Sequence, residues 1–291
     1  MKTVLIAGAT GYLGQHLVAT YLNRGWKVLA LVRDRQRAHD MGLAADKFIV
    51  APATDPETLR GKMAGVDLVI SAVGITRQRD GLDYRDVDYQ ANVNLLREAV
   101  AAGVSRFCYI HLLNAEAMLH VPLVAAKQAF VETLRATSVQ STVICQSGYF
   151  SDMEDFLSMA RSGRVWLFGD GDLKINPIHG ADLADATAEA VDAGMETRAV
   201  GGPDVLCQKD LARLAFLALG RPASITCLPD WTRRPALRLL PWVTPRYIHG
   251  PAQFFLTAMG LDMVGIPYGS HHLADHFRSI EGTTGIGRTS S

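Results

Sequence analysis

Thr3-Val4-Leu5-Ile6-Ala7, followed at once by Gly8-Ala9-Thr10-Gly11-Tyr12-Leu13-Gly14, is the stretch that decides the fold. A short apolar run ends in a glycine loop. Beyond the loop Leu13, Leu17, Val18, Tyr21 and Leu22 recur at helical spacing, and Gly25 can end that helix. A glycine triplet alone says little, but one that leaves a strand and opens a helix says much more. Gly8 permits the tight turn, Gly11 lets backbone approach a pyrophosphate, and Gly14 lets the helix lie close to the sheet. The N–H groups and dipole of the helix start then hold phosphates. A tight strand-to-helix turn without a ligand is the alternative, but such turns do not need three glycines at this spacing. Gly8, Thr10, Gly11, Tyr12, Leu13 and Gly14 are therefore expected to hold a dinucleotide.

Outward from this point, strand and helix patterns alternate. Lys27–Val32, Lys47–Val50, Val66–Val73, Arg106–Ile110 and Ser141–Cys145 read as strands. Asp55–Met63, Asp88–Ala102 and Leu123–Ala136 read as helices between them. Such alternation implies right-handed crossovers and a parallel sheet covered on both faces. After Gly148 the regularity weakens. Phe150–Arg161, Asp182–Ala193 and Lys209–Leu219 look helical, and Val165–Phe168 looks like a strand. The proline-rich segment Pro229–Ile266 reads as short helices or irregular structure, and Gly282–Ser291 as a frayed polar tail. The expected fold is a doubly wound α/β Rossmann fold with a small C-terminal substrate lobe. Its dinucleotide-binding domain spans 1–195, with 148–180 contributing to the lobe, and the lobe and tail span 196–291.

Composition narrows the classes. The chain has 291 residues, 48% of them hydrophobic, enough for a large buried core. Lys+Arg and Asp+Glu both number 29, so no overall field favours nucleic acid or an anionic membrane, which leaves only a local basic patch open. Cys108, Cys145, Cys207 and Cys227 form no CxxC pair and read as buried free thiols. The apolar N-terminus is only a strand long before glycines interrupt it, which argues against a signal peptide. No run of about 18 apolar residues lacks charge, so no transmembrane segment is expected, and a cytoplasmic protein is the default.

The residues after the second strand indicate which dinucleotide. Arg33, Arg35 and Arg37 follow Leu29–Val32, where a chain preferring NAD(H) usually places Asp or Glu for the ribose 2′-hydroxyl. Arginine suits a 2′-phosphate, so Arg33 and Arg37 point to NADP(H). Asp34 keeps NAD(H) open, and a solvated arginine-rich loop is the plain alternative.

The GxxGxxG loop resembles that of the short-chain dehydrogenase/reductase superfamily in its extended and atypical branches. Gly74–Leu96 (GITRQRDGLDYRDVDYQANVNLL) and Ser147–Ala186, beginning SGYFSDMEDF, sharpen this. They resemble atypical members near the NmrA-like and isoflavone-reductase-like families, over most of the chain. The resemblance implies that Ala72, Val73 and Gly74 pass the adenosine side of the cofactor. It also implies a Ser, Tyr and Lys centre in which Tyr lies four residues before Lys on one helix face. There Tyr gives a proton to a carbonyl oxygen, while Lys lowers the Tyr pKa and binds the ribose.

Lys127 matches that lysine, as a contact to ribose and nicotinamide, although a surface helix lysine is the plain reading. The tyrosine position holds Leu123, which cannot transfer a proton, and the serine position holds His111. As an imidazolium His111 could donate a proton near neutral pH; as a hydrogen-bonded filler it would do nothing chemical. Cys145 and Gln146 replace the Arg-Pro that relatives carry after the sixth strand. Gly148, Tyr149 and Phe150 would then line the nicotinamide pocket, with Tyr149 either a displaced proton donor or packing on the cofactor.

His179 and Asp182 precede a helix, where Asp182 can complement the helix start. His272 and His276 stand four apart in HHLADH, but no third ligand is evident, so no metal is expected. Phe254, Phe255, Met259, Leu261 and Met263, with Trp231 and Trp242 upstream, fit core, a substrate pocket or a homodimer surface. Lys127, His111 and Tyr149 are thus the catalytic candidates. The expected activity is an NADP(H)-dependent reduction of a hydrophobic small molecule. A non-catalytic NADP(H)-binding regulatory or assembly protein is the alternative, which the missing Tyr and Ser favour.

Overall fold

The first strand, β1 (Thr3–Ala7), points Val4 and Ile6 into one core and Leu5 and Ala7 into another. Burial on both faces is why the run is continuously apolar rather than alternating. The computed structural model describes residues 1–75 and 81–286 of the chain. After β1 come α1 (Tyr12–Asn23), β2 (Lys27–Val32), α2 (Arg35–Asp40), β3 (Lys47–Val50), α3 (Pro56–Leu59) and β4 (Leu68–Ser71). A π-helical turn, Arg85–Ala91, runs into α4 (Asn92–Ala101). Then follow β5 (Arg106–Leu112), α5 (Pro122–Arg135), β6 (Gln140–Gln146), α6 (Phe150–Arg161), β7 (Val165–Phe168), β8 (Lys174–Ile175), α7 (Gly180–Asp192) and β9 (Thr197–Val200). The chain continues with β10 (Leu206–Cys207), α8 (Gln208–Ala218), β11 (Ile225–Leu228), α9 (Arg233–Val243), α10 (Arg246–Ala258) and α11 (Leu273–Ile286).

Seven strands form one parallel sheet in the order β3-β2-β1-β4-β5-β6-β9. The order reverses between β1 and β4, the switch point at which open α/β sheets bind ligands beyond their C-terminal strand ends. Leu17, Tyr21 and Leu183, from α1 and α7, cover one face. Leu59, Leu96, Phe130 and Leu134, from α3, α4 and α5, cover the other. Strand β9, expected in the C-terminal lobe, is the seventh strand of this sheet. A third core holds Phe156, Phe216 and Phe277 from α6, α8 and α11 and builds the lobe, together with the small pairs β7–β11 and β8–β10.

Several expected elements change length for local reasons. The helix expected at Asp55–Met63 stops at Leu59, and Gly61 follows at φ +71°. Asp34 caps the unexpected α2 by accepting from the backbone N–H groups of Gln36 (2.8 Å) and Arg37 (3.2 Å). The segment Pro229–Ile266 holds two full helices, α9 and α10, despite its prolines. The tail is helical to Ile286; its remainder, and the Thr76–Asp80 part of the stretch that carries the family resemblance, lie outside the described residues. Of the cysteines only Cys108 is buried, and Cys227 is exposed, because β11 lies at the edge of a two-stranded pair.

One side chain ties lobe to sheet. Asn176, wholly buried, donates from Nδ2 to the carbonyls of Gly202 and Gly265 (3.0 Å each) and accepts at Oδ1 from Gly265 N (2.8 Å). Such a satisfied buried amide fixes three chain segments at once.

Candidate functional site

Two cavities meet over the C-terminal strand ends and share Ala72, Gly74 and Ile75. The first, about 290 Å³, is lined by Gly8, Thr10, Gly11, Arg33, Arg37, Ala53 and Val73. Backbone and small side chains make most of its wall, so a flat ligand can lie against the sheet edge. Gly8 turns at φ +80°. A methyl at Gly14 would collide with the Gly8 carbonyl oxygen, so the helix start can sit this close only with glycine there. Helix α1 begins at Gly11 with no side-chain cap and no acidic residue in its first turn. An anion fits an N-terminus left in this state.

Other expected contacts are placed differently. Leu13 is buried in the core behind the loop, so it can meet a ligand only through its backbone. The Tyr12 hydroxyl accepts from Gly180 N (3.0 Å), and its ring meets the Tyr149 ring edge-on. Phe150 is 1% exposed and packs its ring against His179 and His276, behind the cavity wall rather than in it. Asp34 is absent from the cavity lining, and its Oδ1 caps α2.

The second cavity, about 310 Å³, holds the candidate chemistry. His111 on β5, Lys127 on α5 and Gly148 and Tyr149 after β6 all reach it. Leu123 forms part of its wall, at the place where the family resemblance expects a tyrosine. Leu112, Met153, Phe254, Phe255, Met259 and Met263 make the rest largely apolar. The C-terminal aromatic and methionine cluster therefore divides. Phe254, Phe255, Met259 and Met263 line the cavity, Leu261 packs on the lobe core, and Trp231 and Trp242 stand 71% and 88% exposed.

Lys127 makes an ion pair with Asp88 (Nζ–Oδ1 3.3 Å), and Nζ lies 5.3 Å from the centre of the Tyr109 ring. Asp88 is wholly buried, and burial pushes its carboxyl up to about 6 against the opposing pull of Lys127 and of Ile75 N, which donates to Oδ2 (3.3 Å). Sequence reasoning did not single out Asp88. Its signal was present: Asp88, Asn92, Leu95 and Ala99 recur at helical spacing on the buried face, and a carboxylate there needs a partner.

His111 is 3% exposed, with Nε2 3.1 Å from Gln128 Oε1. Burial, reinforced by the Lys127 charge, pushes its imidazole down to about 4. It is therefore neutral at neutral pH, which favours the hydrogen-bonded filler over the imidazolium donor among its two readings. With Nε2–H given to Gln128, its Nδ1 is a buried acceptor without a hydrogen bond among the described residues. Burial holds the Tyr149 hydroxyl far above its usual range, so it stays protonated. Asp152, also on the cavity wall, is pushed up to about 6 by the protein around it.

The remaining histidine candidates are engaged within the fold. His179 caps α7, its Nδ1 accepting from Ala181 N (3.3 Å). Asp182 instead clamps the C-terminal segment, accepting from the N–H groups of Ser270 and His271 (3.1 and 3.0 Å) and pairing with His271 Nδ1 (2.8 Å). His272 pairs with Asp204 and His276 with Glu154, so the two do not converge, and no cluster of three metal-ligating side chains occurs among the described residues.

Comparison with known proteins agrees with this geometry. The chain is 26% identical over 232 residues to the photosystem II assembly factor Ycf39 of Guillardia theta, covering 78% of this chain and 73% of that one. It is 28% identical over 248 residues to the chloroplastic divinyl chlorophyllide a 8-vinyl-reductase of Zea mays, covering 78% of this chain and 62% of that one. Its fold matches an NADPH-dependent quinone oxidoreductase of Escherichia coli solved with NADPH, with a TM-score of 0.76, 18% identity, and 96% and 99% of the two chains covered. A family model described as NAD(P)H-binding matches residues 8–193, from the first glycine of the loop to the end of α7, and the chain belongs to that NAD(P)H-binding family.

Proposed function

We propose that this chain is an NADPH-dependent reductase of a hydrophobic small molecule. The observation that carries the reading is the junction of the two cavities: a small-residue cleft with a capless helix start opens into an apolar chamber beside Lys127 and Tyr149. A dinucleotide laid from Arg33 to Gly148 would present its nicotinamide at that junction. Arg33 and Arg37 would hold a 2′-phosphate, while Asp34 gives its Oδ1 to capping α2. The cofactor, when bound, supplies hydride.

The chain's residues supply the rest. Lys127, fixed by Asp88, holds the ribose and places a positive charge where the reduced substrate gathers negative charge. The protonated Tyr149 hydroxyl offers a hydrogen bond on the same wall. Neutral His111 fixes the chamber floor through Gln128. Leu123 and the Phe254–Phe255 wall exclude water and select an apolar substrate. That the fold is shared with a quinone oxidoreductase makes quinones and enones the first compounds to try.

A non-catalytic, NADPH-sensing assembly role is the second reading. It is favoured by Leu123, which leaves no hydroxyl at the expected acid position, and by assembly factors among the relatives. Fluorescence titration with NADPH and NADH, followed by a screen of quinones, enones and aldehydes for NADPH oxidation, separates the two. Turnover supports the reductase; tight NADPH binding with no turnover in the whole screen supports the assembly role. Failure to bind either dinucleotide would overturn both.

A further inference from the structure

The chain carries no net charge, yet from Trp231 to Leu261 it has Arg233, Arg234, Arg238 and Arg246 and no Asp, Glu or Lys. Within this run α9 is amphipathic in an unusual sense. Pro235, Arg238, Leu239 and Trp242 fall on one side of α9, Arg234 flanks them, and Trp231 extends the same side from the 3-10 turn Asp230–Thr232 that leads into the helix. All six are exposed: Trp231 71%, Leu239 58% and Trp242 88%, with Arg234, Pro235 and Arg238 beside them. The opposite side is used internally. Ala236, Leu237 and Leu240 are half-buried, α9 packs on α10, and Arg233 is tied to Asp230 (2.9 Å) and to the Leu256 carbonyl (3.3 Å). The outward face thus combines two tryptophans, a leucine and two arginines.

Aromatic rings with adjacent cations, on a helix lying flat at a protein surface, match the interface of an anionic bilayer. Tryptophan rings settle at headgroup depth, and each arginine gains from the negative surface potential. Among the described residues no helix is long and apolar enough to cross a membrane. We infer that the outer face of α9 docks this protein, from one side, on an anionic lipid surface. The charge complementarity selects lipid over an acidic protein because the apolar groups, Trp231, Leu239 and Trp242, are large, exposed and spaced along the helix among arginines. Helix α10, packed on α9, turns Phe254, Phe255, Ala258 and Met259 to the chamber. Docking would therefore hold the chamber's roof against the bilayer, near any lipid-dissolved substrate. That last link rests on the reductase reading; the docking itself does not.

The test is co-sedimentation of the full chain with vesicles of phosphatidylglycerol and phosphatidylcholine, and with phosphatidylcholine alone, with tryptophan emission recorded. Expected are binding to the anionic vesicles, a blue shift, and loss of binding on raising salt. The double variant Trp231→Ser, Trp242→Ser should weaken binding by more than about tenfold, and Arg234→Glu with Arg238→Glu by about as much. Equal binding to neutral vesicles, no binding to either, or binding unchanged in both variants would overturn the inference. So would a homodimer in sedimentation velocity that the tryptophan variants dissociate, since the face would then belong to a second copy. NADPH titration of the same variants reports folding and the cofactor cleft independently, so a failure to dock is distinguishable from a failure of the proposed activity.

Discussion

The two cavities over the strand ends are built in opposite ways. The first is made of backbone and small residues, Gly8, Gly11, Ala53, Ala72 and Gly74, drawn from the first strands of the sheet. The second is made of larger side chains, Lys127, Asp88, Met153, Phe254 and Met259, drawn from four segments between the π-helical turn and the end of α10. Recognition by backbone demands glycine at fixed spacing in one short stretch, whereas recognition by side chains demands only that the fold bring distant residues together. On the proposed function, the first cavity is accordingly fixed in its ligand class, and the second is free to vary its substrate.

The largest effect should come from breaking the backbone cavity. Gly14→Val puts a branched side chain against the Gly8 carbonyl. We expect NADPH affinity to fall by more than about a hundredfold, while circular dichroism still reports the sheet and helices. Fluorescence titration measures the first. Undiminished NADPH binding would mean that the loop does not hold the pyrophosphate.

Two buried titratable groups of the other cavity should show opposite pH signatures. Asp88 has its folded pKa raised to about 6, so its contribution to stability is present below about pH 4 and is lost as pH rises through 6. His111 has its folded pKa lowered to about 4, so its contribution is present above about pH 6.5 and is lost as pH falls towards 4. Relative to Asp88→Asn, wild type should lose about 3 kcal/mol between pH 4 and 8. Relative to His111→Asn, it should gain about 3 kcal/mol over the same rise. Urea unfolding across this range reads both, and parallel slopes for wild type and variant would refute the burial account of either residue. A carboxylate kept ionised at a cost to folding is best explained by its hold on Lys127. Asp88→Asn should therefore weaken NADPH binding about tenfold, even where it leaves stability intact.

The same division explains what could be read from sequence. The parallel sheet was legible because strands such as Val4–Ala7 and Leu68–Ser71 are buried on both faces and the helices between them keep one apolar stripe. The glycine loop was legible because its chemistry is local. Asp88 was missed because a carboxylate inside a helix looks like a solvated one until its burial partner, thirty-nine residues on, is known. The two readings of His111 stayed open because desolvation is a property of the packed site, not of the residue. Helices α9 and α10 were read as short or irregular because prolines dominate that segment, although Pro235 lies in the first turn of α9, where a missing N–H matters little.

A smaller effect should separate the two dinucleotides. Arg33→Ala with Arg37→Ala removes two cations from the adenosine end of the first cavity. NADPH affinity should fall about tenfold with NADH affinity nearly unchanged, because only NADPH carries the extra phosphate. An unchanged ratio of the two would leave these arginines as solvated loop residues.

The smallest expected effect tests whether the two cavities work independently. Phe255→Ala shortens the apolar wall from α10, a half-buried position that also meets Phe156 in the lobe core. Stability should fall by about 1–2 kcal/mol, less than for a fully buried phenylalanine. The NADPH dissociation constant should stay within about twofold, since no part of this side chain reaches the backbone cavity. Once a substrate is found, KM should rise several-fold with kcat nearly unchanged, the mark of binding energy shared equally by ground and transition states. A matching fall in kcat would instead show that the wall positions the reacting atoms. In that case the side-chain cavity would shape the reaction itself as well as choose its substrate, and the independence of the two cavities would fail.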